Sequence, residues 1–331
     1  MRTPLGVAIV GLNRRVERQI VPGFAAAPRG QVVALCSRDS TKADRVAGTV
    51  DGCVGYDSLD EMLTDRRVDV VFIATPPAVH APIAIRALAA GKMVICEKPL
   101  ADTLGSANAM VAAIRSTPTA VNFTYRDVTA FRVLKRELEN APIGRLLHAD
   151  LAYLQDRALV DPAIVTDPHL EIGSHLIDVL LWVGPDVGAA DLVSASAAPS
   201  IGSSAQSRAA ILELSSGALA TYQVCRVAAG HANAIRVHLY GTEGSLRLDF
   251  DTEGFTLTRF PATNRATGVP IETPEDCVVG YADFPAYHFD RLLGALRGEV
   301  EFPDFQHGLR VQRVLDAIDR SERTGQRVVI G

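Results

Sequence analysis

Gly6-Val7-Ala8-Ile9-Val10-Gly11-Leu12-Asn13-Arg14-Arg15 is the stretch that decides the fold. Residues 6–10 are a short apolar run of strand type, and a glycine ends it. Residues 15–26 then have the spacing of an amphipathic helix. A strand that turns through glycine into a helix opens a βαβ unit. The pattern repeats down the chain. Residues 32–36 read as a strand and 41–50 as a helix. A short helix over 59–63 is entered from Asp57-Ser58 as a cap. A strand over 68–74 is stopped by Thr75-Pro76-Pro77, and a helix over 80–90 is closed by Gly91. A strand at 94–96, a helix at 104–115 and a strand at 120–123 complete the series. This alternation predicts a doubly wound parallel sheet with ligands off the carboxyl ends of its strands.

Beyond the loop Ser116-Thr117-Pro118-Thr119 the pattern changes. After a helix over 130–139 come strands at 146–153, 192–197, 209–214, 218–225, 234–240 and 244–250. Hairpin-type turns such as Ser215-Ser216-Gly217 and Gly241-Thr242-Glu243-Gly244 join several of them. Helices over 286–297 and 306–324 close the chain. Two polar stretches, 198–207 and 261–280, read as long loops. The expectation is a second, α+β domain with a large open, mostly antiparallel sheet and helices on one face, with one cut dividing the chain into residues 1–121 and 122–331.

Composition narrows the function. With 331 residues, 48% of them hydrophobic, the chain can build two cores. A net charge of -5 without a basic run argues against nucleic acid as partner. No apolar run reaches bilayer length, and Arg14, Arg15, Glu17 and Arg18 follow too soon after residues 7–10 for a secretory leader. Cys36, Cys53, Cys96, Cys225 and Cys277 are scattered, with neither C-x-x-C nor zinc spacing. The cysteine pattern points to a reducing cytoplasm and no disulfide framework.

Glu97-Lys98-Pro99 carries the first sign of chemistry. A lysine at the end of a buried strand is costly unless its charge or proton is used. The competing reading is a surface lysine in a strand-to-helix turn.

The landmarks Val7 to Gly11, Ala74-Thr75-Pro76-Pro77 with His80, Ala90-Gly91-Lys92, Glu97-Lys98-Pro99, Phe123-Thr124-Tyr125-Arg126, Ile143-Gly144, Gly173-Ser174-His175-Leu176-Ile177-Asp178, Gly241-Thr242-Glu243-Gly244-Ser245 and Gly308-Leu309-Arg310 follow one another in order. In order and spacing the chain resembles the Gfo/Idh/MocA oxidoreductases, the family of glucose–fructose oxidoreductase and inositol dehydrogenase. That resemblance implies an N-terminal Rossmann domain and a C-terminal domain whose open sheet makes subunit contacts, hence a homodimer or homotetramer. It implies an NAD(P)-dependent dehydrogenase or reductase acting on a hydroxyl or keto carbon of a sugar, nucleotide-sugar or cyclitol-like molecule. Reduction of a C=N imine on the same fold, or a non-catalytic binding protein with an eroded cofactor loop, are the alternatives.

The cofactor loop departs from G-x-G-x-x-G, reading Gly11-Leu12-Asn13-Arg14-Arg15-Val16. Asn13 is the mildest replacement for the second glycine because asparagine tolerates left-handed backbone. Val16, at the third, should push helix and strand apart or require a smaller partner. Arg14 and Arg15 either face the phosphates at the helix start or are merely solvated. After strand two, Ser37 and Arg38 favour NADP over NAD, with Lys42 assisting and Asp39 as the complication, since an acidic residue there would hold a ribose hydroxyl. Thr75, Pro76, His80, Glu97, Lys98 and Tyr125 complete the expected cofactor contacts.

By the same resemblance Lys98 and His175 match the family's lysine and histidine, and Glu171 stands where an aspartate or asparagine is usual. Oxidising an alcohol requires removal of its hydroxyl proton, and reducing a ketone requires its delivery; a histidine with an intrinsic pKa near ~6.5 can do either. Lys98 would stabilise the charge developing on the same oxygen. Glu171 would orient one of these or bind a neighbouring hydroxyl. Substrate contacts are expected from Tyr125, Arg157, Glu171 and His175. His169, Glu171 and His175 also allow a metal reading, but H-x-E-x-x-x-H is not an established ligand pattern, and no metal is expected.

Overall fold

A computed structural model describes residues 4–161, 166–183, 192–197, 206–263 and 267–330. Among these, β1 (Leu5–Val10), β2 (Gly30–Cys36), β3 (Val54–Tyr56), β4 (Val70–Ile73), β5 (Met93–Glu97) and β6 (Thr119–Asn122) form one sheet. Its order is β3-β2-β1-β4-β5-β6, and every pairing is parallel. Val7, Ile9, Val70, Phe72 and Ile95 are buried because helices cover both faces, which is why these strands read as continuous apolar runs. The order reverses direction between β1 and β4, the place where open α/β sheets leave a crevice at their carboxyl ends. Ser58 caps the helix Leu59–Thr64, accepting from Glu61 N at 3.3 Å, as the sequence predicts.

The second sheet comprises β7 (Leu146–Leu154), β8 (Leu192–Ala197), β9 (Ser207–Leu214), β10 (Leu219–Cys225), β11 (Ala234–Gly241), β12 (Gly244–Phe250), β13 (Phe255–Pro261), β14 (Val269–Pro270) and β15 (Val328–Val329). Its order is β14-β13-β12-β11-β7-β10-β9-β8-β15. All pairs are antiparallel except β7 with β10. The strands alternate cleanly: Ala210, Leu212, Ala220, Tyr222, Val237 and Leu248 are buried, whereas Ile211 and Leu219 face outward and are exposed.

Two sequence expectations change. Among its described residues the stretch 261–280 is not wholly loop: it contains β14 and a 3-10 turn, Glu275–Cys277. The other expected loop, 198–207, lies outside the described residues up to 205. The chain also does not divide at one cut. Contacts group Met1–Thr124 with Val279–Gln312, and Tyr125–Val278 with Arg313–Gly331. The reason is apolar. Phe289, on the helix Phe284–Leu296, stacks on Phe24 with centroids 4.3 Å apart and meets Phe72 edge-on at 5.8 Å. Leu292, Leu293 and Leu296 enter the same core. Among the described residues no helix is long and apolar enough to cross a membrane.

Candidate active site

In the first unit, the carboxyl ends of β1 and β4 come so close that only glycine fits between them. Gly11 has φ +94°, and a Cβ there would lie 2.8 Å from Thr75 Cγ2 and 3.0 Å from the Ala74 carbonyl carbon. Its N–H donates to Cys36 O at 2.9 Å, tying the turn to β2 as well. Thr75 Oγ1 is buried with no hydrogen-bond partner among the described residues.

The other two loop positions work differently from the sequence expectation. No non-glycine residue described has a positive φ, so Asn13 does not stand in for glycine by adopting left-handed backbone. It caps the helix instead: Oδ1 accepts from Val16 N at 3.0 Å. Val16 does not hold the helix off. It is fully buried in the core, and the helix begins as a widened turn, Val16–Ile20, in which Val21 N donates to Val16 O. Pro22 has no N–H to donate to Arg18 O, which favours this i→i+5 form. Leu12 packs against the core and its carbonyl accepts from Lys42 Nζ at 2.6 Å.

The loop's two arginines differ. Arg14 is exposed, whereas Arg15 Nη1 pairs with Glu97 Oε1 at 3.1 Å. After β2, Ser37 is half-buried and Arg38 exposed. Asp39 is committed elsewhere: its Oδ1 caps the helix Ser40–Ala47, accepting from Lys42 N at 3.0 Å.

His80 was expected among the cofactor contacts, but it is fully buried. Nε2 faces Thr75 O at 2.8 Å and Nδ1 faces the carbonyls of Pro99 and Leu100 at 3.2 Å. It ties the Thr75-Pro76 turn to the segment after β5 from behind. Pro76 is exposed. Lys98 is partly exposed and precedes a cis bond to Pro99. Glu97 is a hub: besides Arg15 it accepts from Asn122 Nδ2 at 2.8 Å, and Asn122 Oδ1 accepts from His288 Nε2 at 2.5 Å. Asn122 and His288 carry no motif in the sequence, and only the fold joins them.

In the second unit, His175 is buried on the helix Ser174–Val183, its ring perpendicular to Tyr125 with centroids 4.7 Å apart. Tyr125 and Tyr153 share a hydrogen bond of 2.6 Å between their hydroxyls, and Tyr153 donates to Asn233 Oδ1 at 2.7 Å. Burial lifts both phenols above their ordinary pKa, Tyr153 well above, so both stay neutral. Asp178 is not a reacting carboxylate. It is buried against Arg126, which grips it through Nε at 3.1 Å and Nη2 at 2.7 Å.

Glu171 is likewise engaged. Oε2 accepts from Thr166 Oγ1 at 2.7 Å and from Arg226 Nη2, and Oε1 meets Arg157 Nη1 at 3.3 Å. The sequence expectation has it orient Lys98 or His175 or bind a neighbouring substrate hydroxyl; the structure places it against these three side chains, still about a third exposed. His169 leaves no lone pair for a metal. Burial lowers its pKa, so its ring is neutral. Nε2 must donate to Leu315 O at 2.9 Å, and Nδ1 then accepts from the Tyr222 hydroxyl at 2.8 Å. Gly173 is glycine because a Cβ would lie 1.8 Å from that hydroxyl.

Comparisons with known proteins agree with this fold. A family profile described as "Oxidoreductase family, NAD-binding Rossmann fold" matches residues 5–125, and its companion, "Oxidoreductase family, C-terminal alpha/beta domain", matches residues 166–330. The chain belongs to the Gfo/Idh/MocA oxidoreductases. It is therefore an enzyme of the dehydrogenase and reductase type that uses a nicotinamide dinucleotide. Levoglucosan dehydrogenase of Pseudarthrobacter phenanthrenivorans is 30% identical over 315 residues, 78% of this chain and 79% of that one. A dTDP-3,4-didehydro-2,6-dideoxy-alpha-D-glucose 3-reductase of Streptomyces violaceoruber is 35% identical, but the match spans 42% of this chain and 41% of the reductase. Among solved structures, an oxidoreductase domain protein from Kribbella flavida superposes with a TM-score of 0.83 at 27% identity, covering all of both chains.

The Arg126–Asp178 pair is structural, so breaking it has a defined cost. Asp178→Ala leaves a buried guanidinium without its anion and lowers unfolding free energy by about 3–5 kcal/mol. Urea denaturation measures this, and a change below about 1 kcal/mol contradicts the assignment.

Proposed function

We propose that the chain moves a hydride between a nicotinamide dinucleotide, NADP in preference to NAD, and a hydroxyl or keto carbon of a sugar, nucleotide-sugar or cyclitol-like molecule. The observation that carries this reading is the end of β1. Gly11 has no room for a side chain, and the Thr75 hydroxyl, buried beside it, has no partner among the described residues. A glycine there is what lets a dinucleotide approach the backbone at the point where strand order reverses.

The backbone of Gly11, Leu12 and Asn13 would hold the pyrophosphate, with exposed Arg14 as its cation. Arg15 is tied to Glu97 and steadies the loop. Ser37 and Arg38 would hold a ribose 2′-phosphate. Asp39, the acidic residue that could oppose this, is turned to its helix cap. The bound nicotinamide supplies the hydride donor or acceptor. Lys98 stabilises charge developing on the substrate oxygen, and His175 takes or delivers that oxygen's proton. Tyr125, packed on His175, and Arg157 contribute to substrate binding. The relatives named for levoglucosan, 1,5-anhydro-D-fructose and a dTDP-sugar support a sugar-type substrate.

Titration with NADPH and NADH is expected to give the lower dissociation constant for NADPH. A lower value for NADH reverses the preference, and no binding of either at millimolar concentration ends the reading. His175→Ala is expected to lower kcat by about 10²–10⁴ while dinucleotide affinity is kept. Unaltered turnover would remove His175 from the chemistry.

We also propose that the open face of the nine-stranded sheet pairs with a second copy of the chain, giving a dimer or tetramer. Ile211 and Leu219 support this, since both are apolar and exposed on it. Light scattering on the eluting protein should give two or four times the 35.4 kDa chain mass, and a monomer at micromolar concentration contradicts it.

A further inference from the structure

By the family resemblance an aspartate or asparagine is expected at position 171; Glu171 is one methylene longer, and its surroundings offer a reason for the length. Arg226 follows β10 directly and its side chain is fully buried. Its Nη1 donates to both the carbonyl and the hydroxyl of Thr166 at 2.8 Å, and its Nη2 donates to Glu171 Oε2. A guanidinium cannot shed its proton, so burial demands an anion beside it. Among the described residues Glu171 is the carboxylate that pairs with Arg226. The other oxygen of Glu171 is taken by Arg157.

Glu171 also lies inside a widened turn, His169–Gly173, that runs directly into the helix bearing His175. The turn is pinned at its start by His169 between Tyr222 and Leu315, and at its end by Gly173 against the Tyr222 hydroxyl. The Arg226–Glu171 pair is its third anchor.

We propose that Arg226 is a positioning residue: it takes up the Glu171 carboxylate, fixes the His169–Gly173 turn and so sets the His175 ring against Tyr125, leaving Glu171 without a part in substrate contact or proton transfer. This rests on the role proposed for His175. An aspartate at 171 would fall short of Arg226, so the residue usual elsewhere should be the worse one here.

The test compares Glu171→Asp, Glu171→Gln, Arg226→Met and the Glu171→Asp/Arg226→Met double variant with the unaltered enzyme. Readouts are kcat and KM across pH on a sugar the enzyme turns over, thermal midpoint, and the His175 ring resonances by NMR, which need no substrate. Glu171→Asp is expected to lower kcat by about tenfold or more with KM within about threefold. Glu171→Gln should lower kcat without moving either limb of the pH profile. Arg226→Met should cost as much as Glu171→Asp and add little to it in the double variant, since the two act as one unit. Where Arg226→Met does not fold, Arg226→Lys, which keeps the charge and loses the fork, should show a partial loss. The proposal is overturned if Glu171→Asp equals or exceeds the unaltered enzyme, if Glu171→Gln removes a limb of the pH profile, or if the thermal midpoint falls while kcat holds. Should no sugar be turned over, the function reading fails by itself. The clamp is still decided: Glu171→Asp and Arg226→Met must each shift the His175 resonances, and unmoved resonances overturn it.

Discussion

The close approach of two strand ends, with room for a hydrogen atom and nothing larger, governs the first unit. At Gly11 a Cβ would collide with both the side chain of Thr75 and the backbone before it. This contact is what remains of a loop that ordinarily uses three glycines. Once it is met, the other two positions can be filled with residues that serve the helix: Asn13 as its cap and Val16 as part of its core. A degenerate motif thus retains the one position where sterics permit no substitute.

Buried charge is arranged within each unit in the same economical way. Arg126 with Asp178, Arg226 with Glu171, and Glu97 with Asn122 and His288 are polar groups held inside each unit by specific partners. Such pairs add little net stability over apolar packing, but losing one partner strands the other. Their contribution here is orientation. They fix the segments that carry Lys98 and His175. Widened helical turns open both candidate segments, Val16–Ile20 and His169–Gly173, as is frequent where a chain trades helix regularity for the aim of a side chain.

Much of this was legible in the sequence. The apolar runs that became β1, β2, β4 and β5 were legible, because strands buried on both faces are short, continuously apolar and bounded by turn residues. The alternation in β9 to β12 showed an open sheet for the complementary reason. What escaped was non-local or short, with the exception of β13, a seven-residue strand near the edge of the second sheet. β3, β14 and β15 have two or three residues each and exist through their neighbours. The return of Val279–Gln312 to the first unit depends on Phe289 meeting Phe24, a pairing that no periodicity announces. Lys98 and His175 could be picked out from motifs. Asn122, His288 and Arg226 could not, since each derives its meaning from a partner distant in the chain. Glu171 was visible as an oddity, but its explanation waited on Arg226.

The central claim is that a nicotinamide dinucleotide lies against the ends of β1, β2 and β4. Amide hydrogen exchange with and without saturating NADPH tests it most directly, on the unaltered protein. The account predicts slowed exchange concentrated at Gly11 to Arg15, Ser37, Arg38 and Thr75. Exchange that is unchanged there, or slowed only in the second unit, would contradict it.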